Sequence, residues 1–222
     1  MPIRLDERLY TVACLAAGAH TVCDIGCDHG KLACYMVQTG RAERAVATDI
    51  SAPSLKKAEE LIAETGLADL VTTRVGDGLD PIADGEADTV VIAGMGGDLI
   101  ASILERATEQ GKRFERYILS PNTHPERVRK QVAKSGHVIV HDARTECAGK
   151  KYTVILTQAG EGESLDAMQM KFGKFFRVDP AFRAEAEREL AVLERTVAEN
   201  PDATGYIERA KELRAALGEC GI

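Results

Sequence analysis

Apolar residues recur at helical and strand spacing in alternation along the first two thirds of the chain. Apolar positions three or four apart predict a first helix within Arg4–Gly18. Short segments rich in Val, Ile and Ala, which predict strands, occupy 20–25, 44–49, 70–75, 87–93 and 115–120. Helical spacing separates them, over 30–39, 52–64, 97–109 and 124–135. Strands that alternate with helices predict an α/β fold with a parallel sheet covered on both faces.

This alternation ends near residue 136. The next two apolar segments, His137–His141 and Tyr152–Leu156, are joined by a polar turn that contains Gly149. No helical pattern fits between them, so they predict a β-hairpin. The sheet is therefore expected to be parallel and closed by an antiparallel hairpin.

The last part of the chain has a different pattern. A polar stretch, Gly160–Ser164, reads as a linker. Two amphipathic helical segments follow, the first opening at Pro180, and Asn200–Asp202 separates them. Such a pair predicts a helical hairpin that buries one apolar stripe. We therefore expect two domains, 1–159 and 160–222.

Composition is that of an ordinary globular protein, with 45% hydrophobic residues among 222. No apolar run approaches the roughly 20 residues of a membrane-spanning helix, and the first residues carry no apolar signal core. The six cysteines form no C-x-x-C pair and mostly lie in apolar segments. We expect a cytoplasmic protein with reduced thiols and no membrane association. A zinc site built from Cys23, Cys27, Asp28, His29 and Cys34 is the less favoured interpretation.

The net charge of −7 is unevenly distributed, because residues 112–152 hold 10 Lys or Arg against 4 Asp or Glu. Two interpretations remain open for this basic segment. Its cations, among them Arg127, Arg129 and Lys130, could be the solvated face of a surface helix. They could equally bind a polyanion such as RNA, because a local patch matters more than the total charge.

A glycine-containing loop follows the first predicted strand. Asp24-Ile25-Gly26-Cys27-Asp28-His29-Gly30 has the form D-x-G-x-x-x-G and lacks the G-x-G-x-x-G of dinucleotide folds. A methyl donor such as S-adenosylmethionine carries no phosphates, so a loop that binds it needs no phosphate cradle. Glycines would let the backbone approach this donor, and the carboxylates of Asp24 and Asp28 suit its ammonium and sulfonium.

Acidic residues also end the second and third predicted strands. Asp49, followed by Ile50, can accept hydrogen bonds from both ribose hydroxyls. Asp77, in Gly76-Asp77-Gly78, would accept the adenine amino group of the donor while the glycines leave room for the ring. Each Asp alone could be a turn or cap residue. Three acidic loops after three successive strands favour a donor site.

Two further loops follow the fourth and fifth strands. Ala93-Gly94-Met95-Gly96-Gly97 offers flexible backbone that could admit a flat base. Ser120-Pro121-Asn122 ends the fifth strand, and Asn122 is either the cap of the next helix or an amide that binds a base edge.

With these motifs, almost the whole chain resembles the bacterial tRNA (adenine(22)-N1)-methyltransferase family. The resemblance rests on the following segments: Arg8-Leu9, Asp24–His29, Arg74–Leu79, Ile92–Ile100, Pro121-Asn122 and Lys151-Tyr152. The chain departs from the family pattern at Lys31, Ala33 and Ser120.

The resemblance implies a Rossmann-like class I methyltransferase sheet, S-adenosylmethionine as donor, tRNA as partner and a helical C-terminal domain that helps to hold tRNA. It implies the following cofactor residues: Arg8, which would pair with the donor carboxylate, Asp24, Gly26, Asp28, Gly30, Asp49, Ile50, Asp77, Gly78, Ala93, Gly94 and Met95. The expected substrate residues are Gly96, Gly97, Pro121, Asn122, Arg127, Arg129 and Lys130. Arg183, Arg188, Arg195 and Arg209 would be outlying RNA contacts.

The catalytic residues expected from the sequence are Asp28, His29 and Asn122. Adenine N1 carries its own lone pair, so alignment should supply most of the rate enhancement. His29 is either a proton acceptor or a packing residue. Two alternatives to a tRNA methyltransferase remain: an enzyme of the same fold that acts on a small molecule or protein, and a non-catalytic module that binds S-adenosylmethionine. No protein partner is indicated.

Overall fold

The computed structural model describes residues 2–220 and divides into two compact units after Leu165. The predicted division lay after Ala159. Residues 160–165 belong with the first unit, where Glu163 Oε1 accepts a hydrogen bond of 2.6 Å from the backbone N–H of Ile139. Met1, Gly221 and Ile222, at the outer ends of the predicted domains, lie outside the described residues. Among residues 2–220, no helix has the length and apolar character needed to cross a membrane.

The first unit is a seven-stranded open sheet with helices on both faces. Its elements in chain order are α1 (Glu7–Leu15), β1 (Ala19–Ile25), α2 (Lys31–Gln38), β2 (Ala42–Asp49), α3 (Ala52–Thr65), β3 (Val71–Val75), β4 (Thr89–Ala93), α4 (Gly97–Glu109), β5 (Arg116–Ser120), α5 (Pro125–Lys134), β6 (His137–Cys147) and β7 (Lys150–Ala159). The strand order is β3-β2-β1-β4-β5-β7-β6. The predicted parallel sheet with an antiparallel hairpin at one edge is confirmed.

The three central strands β1, β4 and β5 are buried along most of their length, which explains their nearly continuous apolar sequence, whereas the edge strand β3 is partly exposed. In β1, for example, Val22, Cys23 and Ile25 are all buried. α1 is shorter than its apolar pattern suggested because Asp6 caps it, with Oδ1 accepting from the N–H of Leu9 at 2.7 Å.

The hairpin β6–β7 extends well beyond its two apolar segments. Its two-residue turn, Ala148-Gly149, has positive φ at both positions, 50° and 74°, as the tight turns of twisted hairpins require. The sequence pattern missed the outer halves of these strands because they are polar and partly exposed. This is a common property of the ends of edge strands.

The chain reverses its direction of travel across the sheet between β1 and β4. Strands β2 and β3 follow β1 on one side, whereas β4 and β5 lie on the other. In open α/β sheets, ligands bind at such a point, beyond the carboxyl ends of the strands. The loops that follow β1, β2, β4 and β5 all emerge at this edge.

The second unit is helical and has its own core. It contains α6 (Ala167–Phe172), a 3₁₀ turn (Phe176–Val178), α7 (Pro180–Glu199) and α8 (Thr204–Glu219). The predicted helical hairpin corresponds to α7 and α8, which bury Leu193 and Leu213. The rings of Phe172, Phe176 and Phe182, with centroids 5.4–5.8 Å apart, complete this core. The sequence pattern did not predict α6, which is too short to show a helical period.

Candidate active site

A cavity of about 460 Å³ opens at the carboxyl ends of β1 and β4. It is lined by the start of the chain and by the two loops that follow these strands, namely Arg4, Leu5, Asp6, Arg8, Leu9, Asp24, Gly26, Cys27, Asp28, His29, Lys31, Leu32, Ala93 and Gly94. Seven of the residues expected at the site therefore line one cavity: Arg8, Asp24, Gly26, Asp28, His29, Ala93 and Gly94.

Three left-handed residues shape the loop after β1. Gly26, Asp28 and Gly30 have φ of 70°, 51° and 67°. A Cβ on Gly26 would lie 2.1 Å from Cε of Met95, so glycine lets the loops after β1 and β4 approach each other closely. Met95 thus packs against this loop without lining the cavity itself.

Asp24, at the end of β1, is a buried carboxyl group that lines the cavity. Its Oδ2 has no hydrogen-bond partner among the described residues. Burial raises the pKa of Asp24 from 3.8 to about 7, the backbone N–H of Ala33 opposes that rise, and the charge of Asp49 adds to it. A cation in the cavity would satisfy this oxygen and favour the ionised form.

Asp49 joins the loops after β1 and β2. Its Oδ2 accepts from the backbone N–H of Asp28 at 3.1 Å, and its Oδ1 accepts from the N–H of Ser51 at 2.8 Å. The next residue, Ile50, exposes 73% of its surface. An exposed apolar side chain beside an anchored carboxylate suits a nucleoside, whose ring is flat and apolar and whose ribose donates hydrogen bonds.

Asp77 and Gly78 do not line the cavity. Asp77 pairs with Arg106 on α4, with Nη2 and Oδ2 3.1 Å apart. Gly78 has φ of 57° and packs so closely that an added Cβ would lie 2.9 Å from Ile103. Gly30, which caps the start of α2, is likewise outside the lining and packs against Ala58 on α3. The expected contact of Asp77 with the adenine of the donor stays a prediction. Arg106 would compete with that adenine for the Asp77 carboxylate.

His29 contacts a residue that the sequence did not single out. Nζ of Lys57 on α3 lies 3.1 Å from Nε2 of His29, and Oδ1 of Asp28 lies 3.5 Å from the same nitrogen. A lysine ammonium only donates hydrogen bonds. Toward Lys57, Nε2 of His29 can therefore act only as an acceptor.

Asn122 lies where the loops after β4 and β5 meet. Its Oδ1 accepts from Nη1 of Arg8 at 3.2 Å, and its Nδ2 donates to the carbonyl oxygen of Gly94 at 2.5 Å. Its backbone N–H donates to Met95 O at 2.8 Å. The guanidinium of Arg8 also lies 4.8 Å from the ring centroid of Tyr152. The expected cofactor residue Arg8 thus contacts the expected substrate residue Asn122.

The glycines after β4 make this meeting of loops possible. The backbone N–H of Gly97 donates to Thr123 O at 2.8 Å, and a Cβ on Gly97 would lie 2.3 Å from the carbonyl oxygen of His124. A Cβ on Gly96 would lie 3.3 Å from Oγ1 of Thr123. Pro121, which precedes Asn122, is buried. A sequence rich in glycine is therefore needed here for packing, besides any contact with substrate.

The structure corrects one expected RNA contact, Arg129. This residue is only 3% exposed, and its Nε and Nη2 donate to the two carboxylate oxygens of Asp142 at 2.7 and 2.9 Å. The inner face of α5 buries it against β6, so it cannot reach a phosphate. Arg127 and Lys130 are exposed, although Nε of Arg127 lies 3.5 Å from Oδ1 of Asp98.

Of the four arginines in the second unit that were expected to contact RNA, two pair with carboxylates and two are exposed. Arg209 donates to Glu189 at 2.7 and 3.0 Å, and Arg183 donates to Glu187 at 3.3 Å. Arg188 and Arg195 are exposed on α7. Carboxylate neighbours thus reduce the field of the first pair and leave the second pair as the better candidates.

Comparison with known proteins shows that the chain is similar to methyltransferases. Residues 5–155 match the methyltransferase domain family. The chain is 37% identical over 162 residues to tRNA (adenine(22)-N(1))-methyltransferase of Bacillus subtilis (strain 168), across 73% of this chain and 68% of that protein.

Solved structures agree with this result over nearly the full length. The B. subtilis M1A22 tRNA methyltransferase TrmK is 32% identical with a TM-score of 0.76, covering 98% of this chain and 97% of that one. Streptococcus pneumoniae Sp1610 in complex with S-adenosyl-L-methionine is 28% identical with a TM-score of 0.83, covering 96% and 100%. M. capricolum TrmK in complex with S-adenosyl-homocysteine is 25% identical with a TM-score of 0.82, covering 98% and 99%.

Proposed function

The chain belongs to the tRNA (adenine(22)-N(1))-methyltransferase family, and we propose that it methylates N1 of an adenine in tRNA, at position 22 of the D-arm, with S-adenosylmethionine as donor. One observation of the molecule carries the proposal furthest. The buried carboxyl group of Asp24, with an oxygen that lacks a partner among residues 2–220, faces the same cavity as Gly26 and Gly94.

The residues of the cavity fit a cationic donor without phosphates. Asp24 and Asp28 supply two carboxylates, and Asp28 is 74% exposed at its side chain. Opposite charge within a few ångströms would stabilise a sulfonium and an ammonium. When bound, S-adenosylmethionine supplies an electrophilic methyl group. Asp24, Asp28 and Asp49 would hold its charged and ribose groups, and Ile50 would cover its ring.

Catalysis by this chain would consist mainly of alignment. Adenine N1 attacks with its own lone pair, so no side chain has to remove a proton first. Asp28 would stabilise the positive charge that the ring acquires, because its carboxylate is exposed at the cavity. His29 would pack between Asp28 and Lys57, since its Nε2 lies 3.5 Å from Oδ1 of Asp28 and 3.1 Å from Nζ of Lys57.

The tRNA would be held by exposed cations near the loop that carries Asn122. Arg127 and Lys130 lie on the exposed side of α5. Each phosphate that they neutralise would release condensed counterions, so tRNA affinity should fall steeply as salt rises. These contacts would offset the few kcal/mol needed to turn a paired or stacked base out of the RNA.

The direct test uses the purified protein, labelled S-adenosylmethionine and unmodified bulk tRNA, followed by identification of the methylated nucleoside. We expect 1-methyladenosine at position 22. An Asp24→Ala variant serves as the control without a donor site. Donor binding without methylation of any tRNA would reject the proposal and favour a small-molecule or protein substrate. No donor binding at all would reject the methyltransferase function itself.

The charge contacts have a separate test. Arg127→Glu with Lys130→Glu should weaken tRNA binding, reduce its salt dependence and leave donor affinity unchanged. Arg44→Glu provides a matched control, because Arg44 is exposed near the amino end of β2, at the opposite edge of the sheet. Equal tRNA affinity for the double variant and the control would show that α5 presents only a solvated face.

A further inference from the structure

The side-chain amide of Asn122 is held between two groups of opposite hydrogen-bonding character. The guanidinium of Arg8 can only donate, and the carbonyl oxygen of Gly94 can only accept. Oδ1 therefore faces Arg8 at 3.2 Å, and Nδ2 faces Gly94 at 2.5 Å. Turning the amide over would bring donor against donor and acceptor against acceptor. The orientation of the amide is thus set by chemistry.

Arg8 is itself held in place by several elements. It projects from α1, and its guanidinium lies over the ring of Tyr152 on β7, 4.8 Å from the centroid. Gly94, with φ of 89°, lies beside it, and a Cβ added there would be in van der Waals contact with both terminal nitrogens of Arg8, at 3.6 Å. The partner of Asn122 is therefore a fixed cation from a distant part of the sequence.

The amide still has unused hydrogen-bonding capacity. A carbonyl oxygen has two lone pairs and an amide nitrogen has two hydrogens. Arg8 and Gly94 each take one, and Asn122 is an exposed residue. One acceptor lone pair and one donor hydrogen therefore remain. An amide oxygen and an amide N–H are the groups that bind the N6–H and N7 edge of adenine in bidentate fashion.

The chemistry of the reaction selects between the two edges of adenine. On the Watson–Crick edge, the free N–H of the amide would donate to N1 and occupy the lone pair that must attack the methyl group. On the other edge, the amide would bind N6 and N7 and leave N1 free. Guanine presents O6 and N7, two acceptors, so its O6 would face Oδ1 of Asn122 and be repelled.

We propose that Asn122 reads the N6–N7 edge of the target adenine, and that Arg8 is the positioning residue that makes this contact specific for adenine. The inference rests on the proposed function and deepens it. It also assigns to Arg8 a role other than the expected contact with the donor carboxylate. Arg8 acts through Asn122 and need not touch the base.

The test compares two tRNA substrates that differ by one atom at the methylated position. One carries adenosine and the other 7-deazaadenosine, introduced by ligation of synthetic RNA, so that N7 becomes C–H. For the unmodified enzyme, kcat/KM should fall about tenfold on the 7-deaza substrate, the value of one well-formed hydrogen bond. The measured quantity is the ratio of kcat/KM on the adenosine substrate to kcat/KM on the 7-deaza substrate. The altered basicity of the 7-deaza ring affects both enzymes equally and is corrected for. For Asn122→Ala, the corrected ratio should be near one.

The role of Arg8 is tested with the same ratio. Arg8→Met keeps the stem but has no donor, so the amide is free to turn and the ratio should approach that of Asn122→Ala. Arg8→Lys restores a group that only donates and should recover part of the discrimination. Arg44→Met is the matched control, and its ratio should equal that of the unmodified enzyme. Calorimetry with S-adenosylmethionine monitors donor binding in each variant.

The outcomes separate the two proposals. Full activity of the unmodified enzyme on the 7-deaza substrate, with no difference from Asn122→Ala, would overturn the reading of the N6–N7 edge. An unchanged ratio in Arg8→Met would overturn the positioning role. If Arg8→Met has no measurable activity, the ratio in Arg8→Lys against that in Asn122→Ala decides the role of Arg8. Failure of the unmodified enzyme to methylate either tRNA would instead reject the proposed function.

Discussion

Replacing Asp24 by Asn should stabilise the protein without its donor and weaken the binding of that donor. Asn has nearly the shape of a protonated Asp and can still accept the hydrogen bond from the N–H of Ala33. It carries no charge at any pH. The variant therefore isolates the cost of holding an ionised carboxylate at a position that is 5% exposed.

The magnitude follows from the pKa of Asp24, which burial raises from 3.8 to about 7. The folded state therefore binds the proton more tightly than the unfolded state between these two values, and stability falls as pH rises through this window. At 1.36 kcal/mol per pH unit, about three units cost about 4 kcal/mol above pH 7. Below pH 3.8 both states are protonated and the cost disappears.

The assay is unfolding by urea and by heat, without donor, at pH 4 and pH 8. At pH 4, Asp24→Asn and the unmodified protein should have nearly equal free energies of unfolding. At pH 8, the variant should be more stable by about 4 kcal/mol, which corresponds to a Tm about 10 °C higher. Asp69→Asn, a change at an exposed carboxylate, is the control and should follow the unmodified protein at both pH values.

Donor binding should change in the opposite direction. A bound cation favours ionised Asp24, so binding near pH 7 should release a proton, and the affinity of the unmodified protein should decrease by up to about tenfold per unit below pH 7. Calorimetry in two buffers of different ionisation enthalpy measures this proton release. The reasoning fails if Asp24→Asn gains no stability at pH 8, or if its donor affinity shows the same pH dependence as that of the unmodified protein.

Three other changes have definite expected results. Arg129→Met should lower the free energy of unfolding by about 3–5 kcal/mol, because it removes the guanidinium that pairs with the buried carboxylate of Asp142, and adding Asp142→Leu should recover most of this loss in urea unfolding. Ser120→Ala should raise stability by about 1 kcal/mol in thermal unfolding, since Ser120 Oγ is buried without a partner in the described chain. Truncation after Leu165 retains the contact of Glu163 with the sheet. It should leave a folded unit that binds the donor but methylates tRNA poorly, as circular dichroism, donor titration and a methylation assay would show.

The sequence predicted those features that depend on local pattern. Alternating apolar segments located the parallel strands to within a few residues, and parallel strands bring their carboxyl ends to one edge. The sequence therefore predicts that Asp24, Asp28 and Gly94 lie close together, and all three line one cavity. The strands could be predicted because their positions are fixed by burial, and the glycine positions by backbone geometry.

Partners that come from distant parts of the chain could not be predicted in this way. Arg129 had the same charge and local setting as Lys130, and only the position of Asp142 on β6 shows that it is buried. Lys57 meets His29 because α3 passes beside the loop after β1. The stacking of Arg8 on Tyr152 likewise joins the first helix to the last strand of the sheet. Such contacts depend on tertiary packing, which a single sequence does not display.

The loop after β1 shows why its spacing differs from that of dinucleotide folds. Its middle left-handed position, φ of 51°, is occupied by Asp28 where glycine would be easier to accommodate. Strained backbone persists where the surrounding structure fixes it, and here the N–H of Asp28 donates to Asp49. The loop thereby keeps a third carboxylate near Asp24 and Asp49. A phosphate would be repelled by this arrangement, whereas a sulfonium would be attracted, so the departure from the glycine pattern itself selects the class of cofactor.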